Sequence, residues 1–281
     1  MAWFWQREKT PELEVLEKEV LESSEDFSKG LCKKLKHLDF AYSWELSQKL
    51  LPQIDKTKAR SLVRLLFTEK IKNIEELLGE KAEIKHAIFC LEYLPTRASV
   101  EALVQLLSHL DETIQLLAAG ALKNHTPRIV VPALVEKLLS GEVPPARAGE
   151  VLMQMGYLAQ ESLLEAYGKA EPLVKAQILE LLTIMEYPKC QPLLPLALQE
   201  EEPELKKTAL DAVGVFVCRD LWSEVATCLA DGAWPVRVKA LEVLTRLKTQ
   251  EALERVRPCL EDEDPWVRKE AAACLAVLEK E

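Results

Sequence analysis

The side chains that usually carry chemistry are present in this chain but not assembled. Each of the four histidines is followed by an uncharged residue (His37-Leu38, His86-Ala87, His109-Leu110, His125-Thr126), so no His-Glu pair offers two metal ligands side by side. The seven cysteines (Cys32, Cys90, Cys190, Cys218, Cys228, Cys259, Cys274) include no Cys-x-x-Cys and no neighbouring histidine. An odd, scattered set of thiols points to free cysteines in a reducing compartment rather than to disulfides or a zinc site. Glycine-rich phosphate loops and the Gly-x-Ser-x-Gly nucleophile turn are missing from the sequence. On these grounds no catalytic, cofactor-binding or metal residue is assigned, no cofactor is expected, and the chain reads as a non-enzyme.

Charged residues, by contrast, recur in register. Ala197–Leu210, Cys228–Leu241 and Cys259–Ala272 can be laid over one another at a 31-residue offset. One column then holds Glu200, Asp231 and Asp262, and another, six residues on, holds Lys206, Arg237 and Arg268. An acid in a turn and a base in the first turn of the following helix can form a ladder along a stack. The same alignment leaves a break at Lys169 and Lys175, where no acid is present. Exposed pairs of this kind contribute only about 0–1 kcal/mol each, so the ladder reads mainly as structural. Its functional alternative is a basic stripe in a groove. Trp234 and Trp266 sit beside Pro235 and Pro265 in corresponding turns, where an indole either anchors a partner or closes the gap between turns.

A period of 20–50 residues marks a solenoid, whose units bury their apolar faces only by stacking. Each unit here resolves into two amphipathic helices joined by a short acidic or proline-containing turn. In the last, Glu251–Leu260 is followed by the capping residue Asp264, by Pro265 at the first helical position and by a helix to Leu278. Pro258 predicts a bend or early stop in the first helix of that pair. The plan runs backwards through Leu221–Leu229 with Pro235–Leu247, Cys190–Leu198 with Glu204–Phe216, Ser162–Tyr167 with Pro172–Met185, and Val130–Leu139 with Pro145–Met155. It continues in Val100–Leu110 with Glu112–Leu122 and in Ile74–Leu78 with Ile84–Tyr93. Before residue 70 only helical periodicity remains, predicting helices near 12–22, 26–38, 43–51 and 56–67. The expectation is one all-α domain of about eight helix pairs over 25–281, degenerate in 25–69 and clear in 70–281. Residues 1–24 form an N-terminal extension and acidic capping helix.

Composition agrees with helices, since aromatics are 6% and glycines number nine. The formal charge of −10 speaks against generic nucleic-acid binding. Charge is unevenly spread, because residues 28–74 hold eleven Lys or Arg against four acids, a local +7 that leaves −17 for the rest. The longest apolar run, Ala212–Cys218, has seven residues, far below the ~20 that span a bilayer. The opening Met1–Trp5, with Trp3, Phe4 and Trp5, is too short for a signal-peptide core and reads as a helix-end plug or an unstructured end. A cytoplasmic monomer is expected, with peripheral membrane contact through the N-terminus as the alternative for those aromatics.

At the turn and Val-Arg element the chain resembles HEAT repeats of the short bacterial kind associated with phycobilisome lyases. The matching residues are Asp231, Pro235, Val236, Arg237, Ala240 and Leu241, then Asp262, Trp266, Val267, Arg268, Ala271 and Ala272. Ala212-Val213-Gly214 looks like that family's Ala-Leu-Gly helix ending. The resemblance covers roughly 70–281 and implies a right-handed α-α superhelix whose second helices line a concave, partner-binding surface. Lys206, Lys207, Asp211, Trp234, Arg237, Lys239, Glu242, Trp266, Arg268 and Lys269 are the candidate contacts with a protein or peptide. Di-iron hydroxylase relatives need His-Glu pairs, and alkylpurine glycosylase relatives need a basic, aromatic-lined face; neither pattern is here. The alternatives are an enzyme or enzyme subunit of the bilin-lyase type, and binding of an anionic membrane or nucleic acid through residues 28–74.

Overall fold

In the computed structural model residues 11–24, 27–80 and 82–279 are described, and among them the regular elements are all helices. The side chains of Pro11 and Glu12 lie outside that description, as do Trp3, Phe4 and Trp5. Two compact units emerge: residues up to Lys137 with Glu142–Met155, and Leu138–Gly141 with Gly156 onward.

The first unit begins with α1 (Pro11–Glu22), α2 (Lys29–Lys36), α3 (Phe40–Leu50), α4 (Lys56–Phe67) and α5 (Ile71–Leu77). It continues through α6 (Ile84–Glu92), α7 (Arg97–Gln105), α8 (Glu112–Leu122), α9 (Pro127–Leu139) and α10 (Pro145–Leu152). Side-chain caps set several starts: the Asp39 carboxylate accepts from the Tyr42 amide at 2.8 Å, and Asp55 accepts from Thr57 and Lys58. The acidic α1 is anchored through Leu13, Leu16 and Val20, which are buried. Its carboxylates reach the basic segment, Glu19 pairing with Lys34 at 2.8 Å and Glu17 with Lys49. Lys58 is buried and donates to the Leu21 and Ser23 carbonyls at 3.2 and 2.6 Å, closing the end of α1. Part of the local positive charge is therefore used to hold this helix.

The second unit contains α11 (Tyr157–Tyr167), α12 (Pro172–Ile184), α13 (Leu194–Ala197), α14 (Pro203–Phe216) and α15 (Trp222–Thr227). It ends with α16 (Trp234–Leu247), α17 (Leu253–Val256) and α18 (Pro265–Leu278). The long helices α12, α14, α16 and α18 pack in sequence, each with a shorter partner. Asp264 caps α18 by accepting from the Trp266 amide at 2.8 Å, with Pro265 at the first position as its sequence predicts. Pro258 ends α17 early and turns Arg257–Glu261 into a 3-10 helix. Pro188 and Pro192 do the same before α13, in 3-10 residues Pro188–Leu193.

The charged columns connect consecutive repeats rather than neighbours within one. Lys175 Nζ reaches Glu200 at 2.9 Å, Lys206 Nζ reaches Asp231 at 2.5 Å, and Arg237 Nη2 reaches Asp262 at 2.8 Å. Every step spans 25 residues, one period less the six that separate base from acid. The expected break at Lys175 is thereby corrected, because its acid is supplied by the turn ahead and not the turn behind. The arginines also grip their own turns: Arg237 Nη1 donates to the Asp231 carbonyl at 2.8 Å, and Arg268 Nη1 to the Asp262 carbonyl at 2.6 Å.

The long helices α12, α14 and α16 also end alike, whereas α18 ends at a right-handed Glu279. Glu186, Val217 and Lys248 lie 31 residues apart, and all have positive φ, at 49°, 53° and 55°. This left-handed residue lets the Tyr187 and Cys218 amides donate back to the Leu182 and Val213 carbonyls, at 2.9 and 3.1 Å. A β-branched residue is strained there, and Val217 is half exposed, so little burial offsets the strain. Val217→Gly is expected to raise stability by up to ~1 kcal/mol and the melting temperature by a few degrees, read by thermal unfolding. For the ladder, Arg237→Ala is expected to cost about 3 kcal/mol, since its side chain is 7% exposed, whereas exposed Arg268→Ala costs below about 1 kcal/mol by urea unfolding. The Arg237 hydrogen bond holds the Asp262 carboxyl below its ordinary value of 3.8, against the opposing effect of burial. A carboxyl depressed in the fold stabilises above the unfolded value and loses that contribution as pH falls through the folded one. The stability gap between the natural protein and Asp262→Asn should therefore be full near neutrality and close below pH 3.8.

Candidate protein-docking face

The solvent side of the long helices is set by the same 31-residue register. On each helix four positions spaced three or four apart stand outward or partly so, and the repeat carries them into four rows across α12, α14, α16 and α18. The row nearest the helix starts holds Leu173, Glu204, Pro235 and Trp266. The next holds Gln177, Thr208, Lys239 and Glu270, and the third Glu180, Asp211, Glu242 and Ala273. The row at the helix ends holds Ile184, Val215, Arg246 and Val277. Ile184, Val215 and Val277 are 57%, 46% and 37% exposed. Three of the four residues at this repeat position are thus apolar and partly in water, with Arg246 the fourth.

The expected contact residues divide between the stack and this face. Lys206 and Arg237 belong to the ladder, and Arg237 is buried, with its Nε lacking any hydrogen-bond partner. Arg268 is exposed but engaged with the Asp262 and Glu263 carbonyls at 2.6 and 2.9 Å. Asp211, Lys239 and Glu242 lie together on the face: Lys239 Nζ stands 3.1 Å from Asp211 of α14 and 2.8 Å from Glu242 of its own helix. Lys207 pairs with Glu204 at 2.8 Å beside the first row. Trp266 is 59% exposed with Lys269 Nζ 5.5 Å from its ring centre, and Trp234 is 44% exposed. Neither indole is shut into a gap between turns.

Sequence reasoning did not single out Ile184, Val215 or Val277. The signal lay in the same alignment, in apolar residues recurring where the helical pattern calls for polar ones. The Arg246 side chain lies across Gly214, where a Cβ would stand 3.2 Å from Arg246 Nη1.

Elsewhere, groups that could do chemistry are muted. An open hollow of about 660 Å³ lies against Ala226, Leu229, Pro258 and Cys259. Burial pushes the Cys259 thiol up, which makes it a poor nucleophile. His86 is pushed down to about 4 by burial and meets Ser47 Oγ at 2.8 Å, so its ring is neutral. Burial also lowers His125, whose ring nitrogen is 3.2 Å from the Leu91 carbonyl. Among the described residues no group of three or more His, Cys, Asp or Glu could hold a metal ion, and no helix is long and apolar enough to cross a membrane. In the first unit, Lys29, Lys33 and Lys36 of α2 and Lys56, Arg60 and Arg64 of α4 stand exposed on two packed helices. None of the six forms an ion pair with a carboxylate among the described residues.

Residues 223–281 match the family model for HEAT repeats. No curated protein sequence matches the chain significantly. Among solved structures, Kap121p bound to Nup53p aligns over 96% of this chain and 38% of its own, at 11% identity and a TM-score of 0.54. A Kap121p mutant aligns over 98% and 38%, at 11% identity and 0.53. An engineered protein aligns over 96% and 89%, at 18% identity and 0.43. This chain thus spans well under half the length of Kap121p, and at such identity the likeness is one of fold. The described fold is all-α, built of recurring helix pairs with a ladder between their turns, and residues 223–281 are similar to HEAT repeats.

Proposed function

We propose that this protein is a non-catalytic scaffold that docks a protein partner on the solvent side of α12, α14, α16 and α18. The observation that carries this reading is the exposure of the apolar residues Ile184, Val215 and Val277 at one repeat position, each more than a third open to water. Trp266 and Leu173, also exposed, occupy a shared repeat position at the other edge of the face. An exposed tryptophan such as Trp266 is the kind of side chain that anchors a docked interface, and exposed apolar neighbours extend the contact. Kap121p, which shares the fold, has been crystallised with Nup53p, so stacks of this kind do hold protein partners. The subclass associated with bilin lyases gains no support from the muted thiols and histidines.

Charge reversal at Arg237 would unfold the repeat rather than probe the face. Substitutions on the outward rows are the proper test. Affinity capture with the natural protein as bait should retain a partner that Val215→Arg and Ile184→Arg lose, while both variants keep melting temperatures within a few degrees of the parent. Trp266→Ala should weaken the same capture by about 2 kcal/mol or more with little effect on melting. Capture that survives all three substitutions would remove the face from the account.

A further inference from the structure

Inside the docking face one interval between helices is incomplete in a way that specifies its occupant. Lys239 on α16 lies between Asp211 on α14 and Glu242 on α16, at 3.1 and 2.8 Å. Moving this arrangement back by one period replaces Asp211 with Glu180, Glu242 with Asp211 and Lys239 with Thr208. The acids persist and the cation does not. Thr208 turns its hydroxyl to the Glu204 carbonyl of its own helix, at 3.0 Å, so it supplies nothing to the carboxylates. Glu180 is exposed and forms no ion pair among the described residues. Immediately beyond this interval, toward the helix ends, stand Ile184 and Val215.

We infer that the partner is an extended segment in which a lysine or arginine alternates with an apolar residue. The cation stands between Glu180 and Asp211 as Lys239 does in the next interval, and the apolar side chain lies on Ile184 and Val215. The inference rests on the scaffold reading and names the chemistry of the segment that face takes. Spacing supports it, because packed helices lie about 8–10 Å apart and an extended chain of the polyproline kind returns to the same side every third residue, about 9 Å along. A three-residue repeat therefore keeps step with the helices, so a cation set at the Glu180–Asp211 interval leaves the rest of the segment in register with the neighbouring helices. The opposite chemistry, an acidic segment, would place carboxylate against carboxylate across Glu180, Asp211 and Glu242.

Two labelled peptides test this by fluorescence anisotropy on the full chain: a repeated Lys-Leu-Ser peptide of about twelve residues, which spans four helices at one per three residues, and its Glu-Leu-Ser counterpart. The lysine peptide should bind saturably and the glutamate peptide should not. Thr208→Lys supplies the missing cation from within, so it should weaken the lysine peptide at least about tenfold, as losing one desolvated charge contact does, while melting stays level or rises. Val215→Arg should weaken it as well. Equal binding of both peptides, or unchanged affinity in Thr208→Lys, would overturn the basic class. If neither peptide binds but partner capture remains dependent on Val215, this inference falls and the scaffold stands. If capture is also indifferent to Val215, both fall.

Discussion

Arg237 is the interaction on which the arrangement of the last repeats depends. One nitrogen of its guanidinium donates to the carbonyl of its own turn, at Asp231, and another to the carboxylate of the next turn, at Asp262. A planar fork can hold two directions at once in a way an ammonium cannot. Burying that charge is costly, and its Nε is left without a partner. The carboxylate and carbonyls offset the cost only while two successive turns keep their separation. The contact thus stabilises a spacing between repeats rather than a helix, and Lys206 and Lys175 make simpler versions of it.

Fixing the spacing fixes what faces water. Once bases at one column are drawn inward to the turns, the outward rows keep Glu180, Asp211 and Glu242 beside Ile184, Val215 and Val277. The column weighed in the sequence as a structural ladder or, alternatively, a basic stripe is taken up by the ladder at Lys206 and Arg237, and the outward face carries Glu180, Asp211 and Glu242 beside exposed apolar residues. The first unit uses charge in the reverse sense: Glu17 and Glu19 of α1 neutralise Lys49 and Lys34, and the cations of α2 and α4 remain outward. In both units opposite charges are used in assembly, at Lys34 and Lys49 in the first and at Lys175, Lys206 and Arg237 in the second.

Much of the architecture was legible in the sequence because local chemistry wrote it there. Asp264 with Pro265 marked a helix start, Pro258 a helix stop, and the 31-residue columns gave the repeat. The early helices also fell near their expected places, α4 at Lys56–Phe67 among them. The partner of each base was not legible. Six residues separate Arg237 from Asp231 and 25 from Asp262, and only the stacking of turns chooses the second for the side-chain pair. The same holds for exposure: Val215 and Val213 look alike in sequence, yet one stands in water and the other is buried. The left-handed Val217 was hidden too, since a β-branched residue is the last that such a position suggests.

The account stands most directly on a double-mutant cycle at Arg237 and Asp262, measured by urea unfolding of the full chain with each single alanine variant and the pair. If the cross-repeat contact fixes the spacing of the turns, the two losses should be strongly non-additive, with a coupling of about 2 kcal/mol. Additivity within about 0.5 kcal/mol would contradict it, leaving the apolar core alone to set the register and the outward rows without the constraint that defines them.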